Sequence, residues 1–169
     1  MKLAETYDYL VRARRDLWST LESAPDDVLS QDLIGGPRFR SIKDLLFHIA
    51  EVEDGWINGD IRHRQFVQDN VPALRQGGPD FSGFALSALL DYWRLVEQRS
   101  IPYIAGLTEV ECSSSVEVED SPETHFTVDR ILWHVMIHEM RHTSQIAMLL
   151  RTQGIKPPAL DLLFYLPSR

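Results

Sequence analysis

The stretch from Val128 to Gln153 constrains the fold more than any other part of the chain. Wound as a helix, it carries apolar residues round almost its whole circumference. Leu132, Trp133, Met136, Ile137, Met140, Ile146 and Leu150 fill most positions, and Ile131, Val135 and Leu149 flank three histidines. A helix that is apolar nearly all round predicts a central or deeply packed element, and Gly154 supplies its stop. The histidines are His134, His138 and His142. With His134 at zero on a wheel of about 100° per residue, Gln145 stands near 20°, His138 near 40° and His142 near 80°, each histidine about 6 Å further along the axis. The pattern predicts three imidazoles facing a largely dry region.

Three further helices are needed to surround such an element, and the sequence offers them. From Leu3 to about Ser23, Leu3, Tyr7, Leu10, Arg14, Leu17 and Leu21 recur at steps of three and four, the period of a one-faced helix. Ala24-Pro25-Asp26 ends it, and the stretch to Arg40, with Gly35-Gly36-Pro37, reads as a connection. Ser41-Ile42-Lys43-Asp44 resembles a capping box with Asp in place of Glu. Behind it Ile42, Leu45, Leu46, Ile49, Val52 and Trp56 form an apolar stripe that predicts a second helix running to about Gln68. Pro72, Gly77-Gly78 and Pro79 mark Val71 to Asp80 as a loop. A third helix is expected from about Phe81, kinked or ended by Pro102, which lacks the amide donor.

Between Val110 and Thr127 the period changes. Ser115 to Glu119 alternates, Asp120-Ser121-Pro122 is a turn signal, and His125-Phe126-Thr127 can pair back, so a short hairpin or extended crossover is predicted. After the fourth helix, Pro157-Pro158 leads to a short closing helix over Leu160 to Leu166. The expected architecture is all-α: a single domain over residues 1–169, a four-helix bundle with crossover connections, a short β-hairpin before the fourth helix and a short C-terminal helix.

Composition narrows the function classes. A formal net charge of −8 argues against tracking nucleic-acid phosphates. The densest basic cluster, Arg12, Arg14 and Arg15, reads as the solvated face of the first helix. Cys112 is the single cysteine, so no intrachain disulfide forms, which fits a reducing compartment. MKLAETYDYL lacks the apolar core of a signal peptide, and no apolar run approaches the ~18–20 residues that span a bilayer. A cytoplasmic protein that binds neither membrane nor nucleic acid is expected.

The histidines point to a metal. Imidazoles one turn apart converge on a point that a cation can occupy at roughly 2.0–2.1 Å from each nitrogen. Without a cation the same pair crowds polar groups into an apolar layer. Some pair from the fourth helix is therefore expected to anchor a divalent ion. A helix easily supplies only two well-placed ligands, so a third must come from elsewhere. His63 lies in a polar run and His125 in the hairpin, both read as exposed. His48 sits inside the second helix at the margin of its apolar stripe, where it can face a neighbouring helix, and it is the expected third ligand. The string His138-Glu139-Met140-Arg141-His142 also matches the HExxH signature of zinc peptidases. That reading fails downstream: the residues after His142 contain no histidine or glutamate, and Asp161 is their only carboxylate side chain.

The chain resembles the DinB/YfiT-like metal-dependent bundle proteins. The residues carrying the resemblance are SIKDLLFHIAEVEDGWI in the second helix, ILWHVMIHEMRHTSQIAMLLRTQG in the fourth, and LDLLFYL near the end. One departure is Ser144, where many members have glycine. The resemblance implies a four-helix bundle, often dimeric, with a divalent metal such as zinc or nickel held by His48, His138 and His142. It leaves His134 outside the ligand set. Members include thiol-dependent enzymes, among them mycothiol-dependent maleylpyruvate isomerase and bacillithiol S-transferases.

From this follows an expected function: a metal-dependent S-transferase using a low-molecular-weight thiol from outside the chain and a small-molecule electrophile, acting as a homodimer. Cys112, in an acidic and serine-rich connection, is a poor internal nucleophile. His134, Glu51, Glu139 and Gln145 are candidates for supporting the ligands, and no general base can be assigned beyond Glu51 and Glu139. The alternatives are a metal-dependent hydrolase and a non-catalytic, metal-stabilised stress-related binding protein.

Overall fold

The computed structural model describes residues 2–74, 80–118 and 121–165. Four long helices dominate: α1 (Leu3–Glu22), α3 (Ile42–Asp54), α4 (Leu86–Ala105) and α6 (Val128–Thr152). Two short helices, α2 (Asp26–Ser30) and α5 (Glu109–Cys112), and a two-stranded antiparallel sheet, β1 (Ser115–Val118) with β2 (Ser121–Thr127), fill the connections. The α2 turn lies in the stretch read from sequence as plain connection.

Packing partners set the topology. Around the bundle the principal neighbours run α1, α4, α3, α6 and back to α1. The links from α1 to α3 and from α4 to α6 therefore both cross a diagonal, as their lengths suggest. The link between α3 and α4 has a different cause. Lys43 Nζ reaches the Ser82 carbonyl (3.3 Å), the Tyr92 hydroxyl donates to Asp54 (3.0 Å), and Arg62 Nη1 reaches the Arg99 carbonyl (3.2 Å). These contacts advance together, so α3 and α4 run side by side in the same direction, and the chain must return the length of the helix to begin again. α3 and α6 run oppositely.

The local signals explain most boundaries. The capping box at α3 forms, with Asp44 N donating to Ser41 Oγ (3.1 Å) and Ser41 N donating to Asp44 Oδ2 (2.9 Å). Asp44 Oδ1 also accepts the Phe81 amide (2.7 Å), which ties the start of the third long segment to this cap and delays α4 to Leu86. The second helix stops short of Gln68. After Asp54 it passes into a π-helical turn, Gly55–Ile61, and then folds back. Asp54 Oδ2 accepts the amides of Val67 (2.7 Å) and Gln68 (3.2 Å), so a buried carboxylate recruits residues that would otherwise have continued the helix. Pro102 sits in the last turn of α4, which ends at Gly106. At the end of α6, Gly154 adopts φ +76°. Ile155 N donates to Leu150 O (2.9 Å) and Gly154 N to Arg151 O (3.0 Å), the paired bonds of a Schellman stop.

The hairpin pairs Val116 with Phe126 and Glu117 with His125. The turn signal at Asp120 and the Gly77-Gly78-Pro79 loop lie outside the described residues. The closing element is a single 3₁₀ turn, Leu162–Phe164, with Leu166 also outside the described range.

Two expectations are corrected. α6 is not apolar-packed all round: Ile137 and Met148 are 56% and 58% exposed, and His134 is exposed. A helix at the corner of a four-membered bundle always keeps one face outward. Arg12, Arg14 and Arg15 do not share a solvated face. Arg14 is completely buried, whereas Arg12 and Arg15 are largely exposed. On α1 it stands in register with Leu10, Leu17 and Leu21, the core stripe itself.

The core is divided at that level. One apolar cluster contains Leu17, Ala50, Val96 and Ile146; the other contains Leu10, Ile57, Ile104 and Met136. On each long helix the residue between them is polar and buried: Arg14, Glu53, Glu97 and Glu139.

Candidate metal centre

Polar residues at this dividing level face two ways. On one side of α6, His138 and His142 meet His48 of α3. On the other, Glu139 meets Arg14 of α1.

His138 and His142 lie one helical turn apart on α6, and antiparallel packing brings His48 opposite them. The ring centroids are 4.3 Å apart for His138 and His142, 4.8 Å for His48 and His138, and 5.2 Å for His48 and His142. One nitrogen from each ring falls within 4.8 Å of the others. His138 and His142 are buried and His48 is partly exposed, so the cluster opens toward solvent on the α3 side.

Hydrogen bonding orients the rings. His142 Nδ1 meets Gln145 Oε1 at 2.6 Å; an amide oxygen can only accept, so the proton sits on Nδ1 and the lone pair on Nε2. Arg141 Nη2 donates to that Nε2 (3.0 Å). His48 Nε2 and His138 Nε2 stand 3.1 Å apart, close enough that only one of them can carry a proton. His48 Nδ1 is buried without a hydrogen bond, with Glu51 Oε2 at 3.6 Å. Burial, followed by the nearby His142 and His48, pushes His138 down to about 3. Burial also lowers His142, with Arg141 and His48 adding to it and the Gln145 bond opposing it. Three imidazoles whose ring nitrogens converge in this way form a donor set suited to a divalent cation, which would take the place of the proton between His48 and His138.

The remaining expected residues take other places. Gln145 supports His142 as described, and Glu51 stands exposed beside His48. His134 does not join the cluster; its ring sits 6.0 Å from His138 and packs edge-on against Trp56 at 5.8 Å. His63 and His125 are exposed.

Glu139 turns away from the histidines entirely. Its carboxylate receives Arg14 Nε (2.9 Å) and Nη2 (2.5 Å). The same guanidinium reaches Glu53 at 3.2 Å and Glu97 at 3.6 Å. Tyr7 donates to Glu53, and Arg15 adds a second cation to Glu97. Burial lifts Glu139 to about 7 against the pull of Arg14. The glutamate of an HExxH peptidase must stand beside the metal-bound water, and this one is held on the far side of its helix.

Two residues near the cluster escaped the sequence reading. Phe39 lays its ring over His48 (4.1 Å between centroids) and lies 6.5 Å from His142. It does so from φ +56°, a conformation costly for a bulky side chain, with Arg38 stacked on its ring at 4.8 Å. Arg141 is the other. Nothing in a glycine-rich connection marks Phe39, but Arg141 adjoins a candidate ligand and could have been weighed.

A family model described as DinB family matches residues 1–169. Protein DinB of Bacillus subtilis (strain 168) is 22% identical over 160 residues, covering 95% of this chain and 91% of that protein.

Proposed function

The chain belongs to the DinB family, and on that premise we propose that it is a metal-dependent enzyme that transfers a small exogenous thiol to an electrophilic small molecule. The observation that carries this reading is the convergence of three imidazole nitrogens, within 4.8 Å of one another, at a level of the bundle open to solvent on one side. His48, His138 and His142 would hold the ion. A divalent ion such as zinc or nickel in this neutral donor set keeps its full charge, favours the thiolate form of a bound thiol and acts as a Lewis acid.

The chain's own groups fit that role. Gln145 fixes the His142 tautomer, and Phe39 walls one side of the cluster. Arg141 places a cation beside the centre that can attract an anionic substrate group. Cys112 is no substitute for an exogenous thiol: burial raises its pKa, and Asp129, Glu111 and Glu109 add to the effect. A second reading, metal-assisted hydrolysis, draws support from Glu51, an exposed carboxylate near His48 that could receive a proton from water. In this proposal the protein acts in the cytoplasm as a homodimer. Ile137 and Met148 on the outer face of α6 offer apolar surface for a second copy, and no described helix is long and apolar enough to cross a membrane.

Metal analysis of the purified protein beside His138→Ala tests the centre; one bound ion per chain, lost in the variant, is expected. Thiol-dependent turnover of monochlorobimane, abolished in His138→Ala, supports transfer. Hydrolysis of activated esters without thiol supports the second reading. Failure to retain zinc, nickel or manganese on reconstitution overturns both.

A further inference from the structure

A cavity of about 600 Å³ lies away from the histidines, between the end of the π-helical turn, the last turns of α4 and the hairpin. Arg62, His63, Arg64, Tyr103 and Ser115 line it, and Ile61, Val116 and Val128 supply apolar surface. The volume suits a small molecule.

Its electrostatics are unusual for a chain with a formal net charge of −8. Arg62, Arg64 and Arg99 lie close enough for their charges to interact, and burial, followed by Arg64 and Arg99, pulls Arg62 below the usual arginine range. Their polar contacts are neutral: Arg62 Nη1 donates to Asn58 Oδ1 (3.2 Å) and the Arg99 carbonyl (3.2 Å), and Arg99 Nη1 donates to the Gln65 carbonyl (3.1 Å). Arg62 is also held over the Tyr103 ring, 4.9 Å from its centroid. Two glutamates also line the cavity, so its lining is mixed in charge, with the arginines on the Ile61–Arg64 stretch and the carboxylates on α5 and β1. Glu111 spends its carboxylate on the Thr108 amide (2.8 Å) and hydroxyl (2.7 Å) at the α5 cap, and Glu117 lies exposed on β1.

Two arginines lining one cavity, one of them half-buried and positioned by an aromatic ring and two carbonyl oxygens, form a preorganised receptor for an anion. Guanidinium forks match the planar, two-oxygen edge of phosphate and carboxylate groups. We propose that this cavity is a second, metal-independent site that binds a small molecule through a phosphate or carboxylate group, with Arg62 and Arg64 as its anchors.

Calorimetric titration of the purified protein with inorganic phosphate and, separately, with succinate tests this. Saturable one-to-one binding of either is expected, and a preference for one assigns the ligand's charged group. Amide resonances of residues 62–64 and 114–117 should move on addition, while those of 138–142 stay in place. Arg64→Gln, which removes an exposed side chain with no hydrogen bond among the described residues, should weaken binding about tenfold or more at an unchanged melting temperature. Arg62→Lys should weaken it less than Arg62→Gln, since it keeps the charge and loses the fork. His138→Ala should bind as wild type. Absence of saturation up to about 20 mM, equal affinity in wild type and Arg64→Gln, or loss of binding in His138→Ala overturns the proposal.

Discussion

His138 and Glu139 are consecutive residues on one helix, and they serve opposite kinds of buried polar cluster. On the Glu139 side, Arg14 meets three carboxylates in a layer sealed by Tyr7 and Trp93. On the His138 side, imidazole rings face one another across α3 and α6, with His48 and His138 sharing one contact between Nε2 atoms and His48 Nδ1 left without a hydrogen bond. The first cluster is closed and charged, and its two atoms without a hydrogen bond, Arg14 Nη1 and Glu97 Oε2, face each other as an ion pair at 3.6 Å. The second is open on the His48 side, where the exposed Glu51 carboxylate lies 3.6 Å from the unpaired nitrogen. Removing one partner of a buried ion pair strands the others as uncompensated charges, so each member of the first cluster depends on the rest. Buried groups left wanting a partner are where ligands bind. Adjacent positions on α6 thus divide between holding the bundle and doing chemistry.

The division is broken most severely at Arg14. Arg14→Ala leaves Glu139, Glu53 and Glu97 buried without their shared cation and should cost about 3–5 kcal/mol in chemical denaturation. Arg12→Ala, two residues away on the exposed side of α1, should leave the unfolding midpoint within experimental scatter. Equal effects would mean that the Arg14 layer is no more structural than a surface pair.

The second break is specific to the open cluster. Chelation should lower the melting temperature of wild type loaded with zinc, by the equivalent of about 4 kcal/mol if free metal had stood at 1,000 times Kd. Chelation should leave His138→Ala unmoved. A wild type indifferent to chelation and to added metal would make the two clusters alike, both of them structural.

Both clusters were partly legible in the sequence, for different reasons. Histidines at a four-residue step on an apolar helix announce a shared target, and His48 stood out as the one remaining histidine at the edge of an apolar stripe. Arg14 also stands inside a stripe, between Leu10 and Leu17, although along the chain it adjoins Arg15 and lies two residues from Arg12. Periodicity was the better guide, because residues two apart on a helix point nearly opposite ways. The bundle, its crossovers and the hairpin followed from period and punctuation. The ends of α3 and α4 did not, because Asp54 and Asp44 set them by capturing amides thirteen to thirty-seven residues further along the chain. Phe39 was illegible for the same reason: its position over His48 comes from a left-handed backbone in a connection with no period to read.

A smaller effect distinguishes the clusters by pH. Burial depresses His138 from 6.5 to about 3, so between those values the unfolded chain binds a proton that the folded protein refuses. The associated stability is complete above the unfolded value and is lost as pH falls toward the folded one. Chelated wild type should therefore unfold at progressively lower urea as pH drops below about 6.5, and His138→Ala should show a shallower decline. Equal slopes would place the acid sensitivity elsewhere, with the carboxylates of the Arg14 layer the first alternative.

The smallest expected effect concerns the boundary between the two sides. Arg141 is exposed, and its guanidinium donates to the same His142 nitrogen that a cation would use. Its positive charge opposes metal binding, and its hydrogen bond competes for the lone pair. Arg141→Gln should tighten zinc binding several-fold, read by competition with a chromophoric chelator, while changing metal-free stability by no more than about 0.5 kcal/mol. If Arg141 also attracts an anionic substrate group, the variant should raise KM for a charged electrophile and spare a neutral one. Unchanged zinc affinity would mean that the side chain swings clear of His142 without cost. Its long, solvated stem allows that, whereas the buried fork of Arg14 has nowhere else to go.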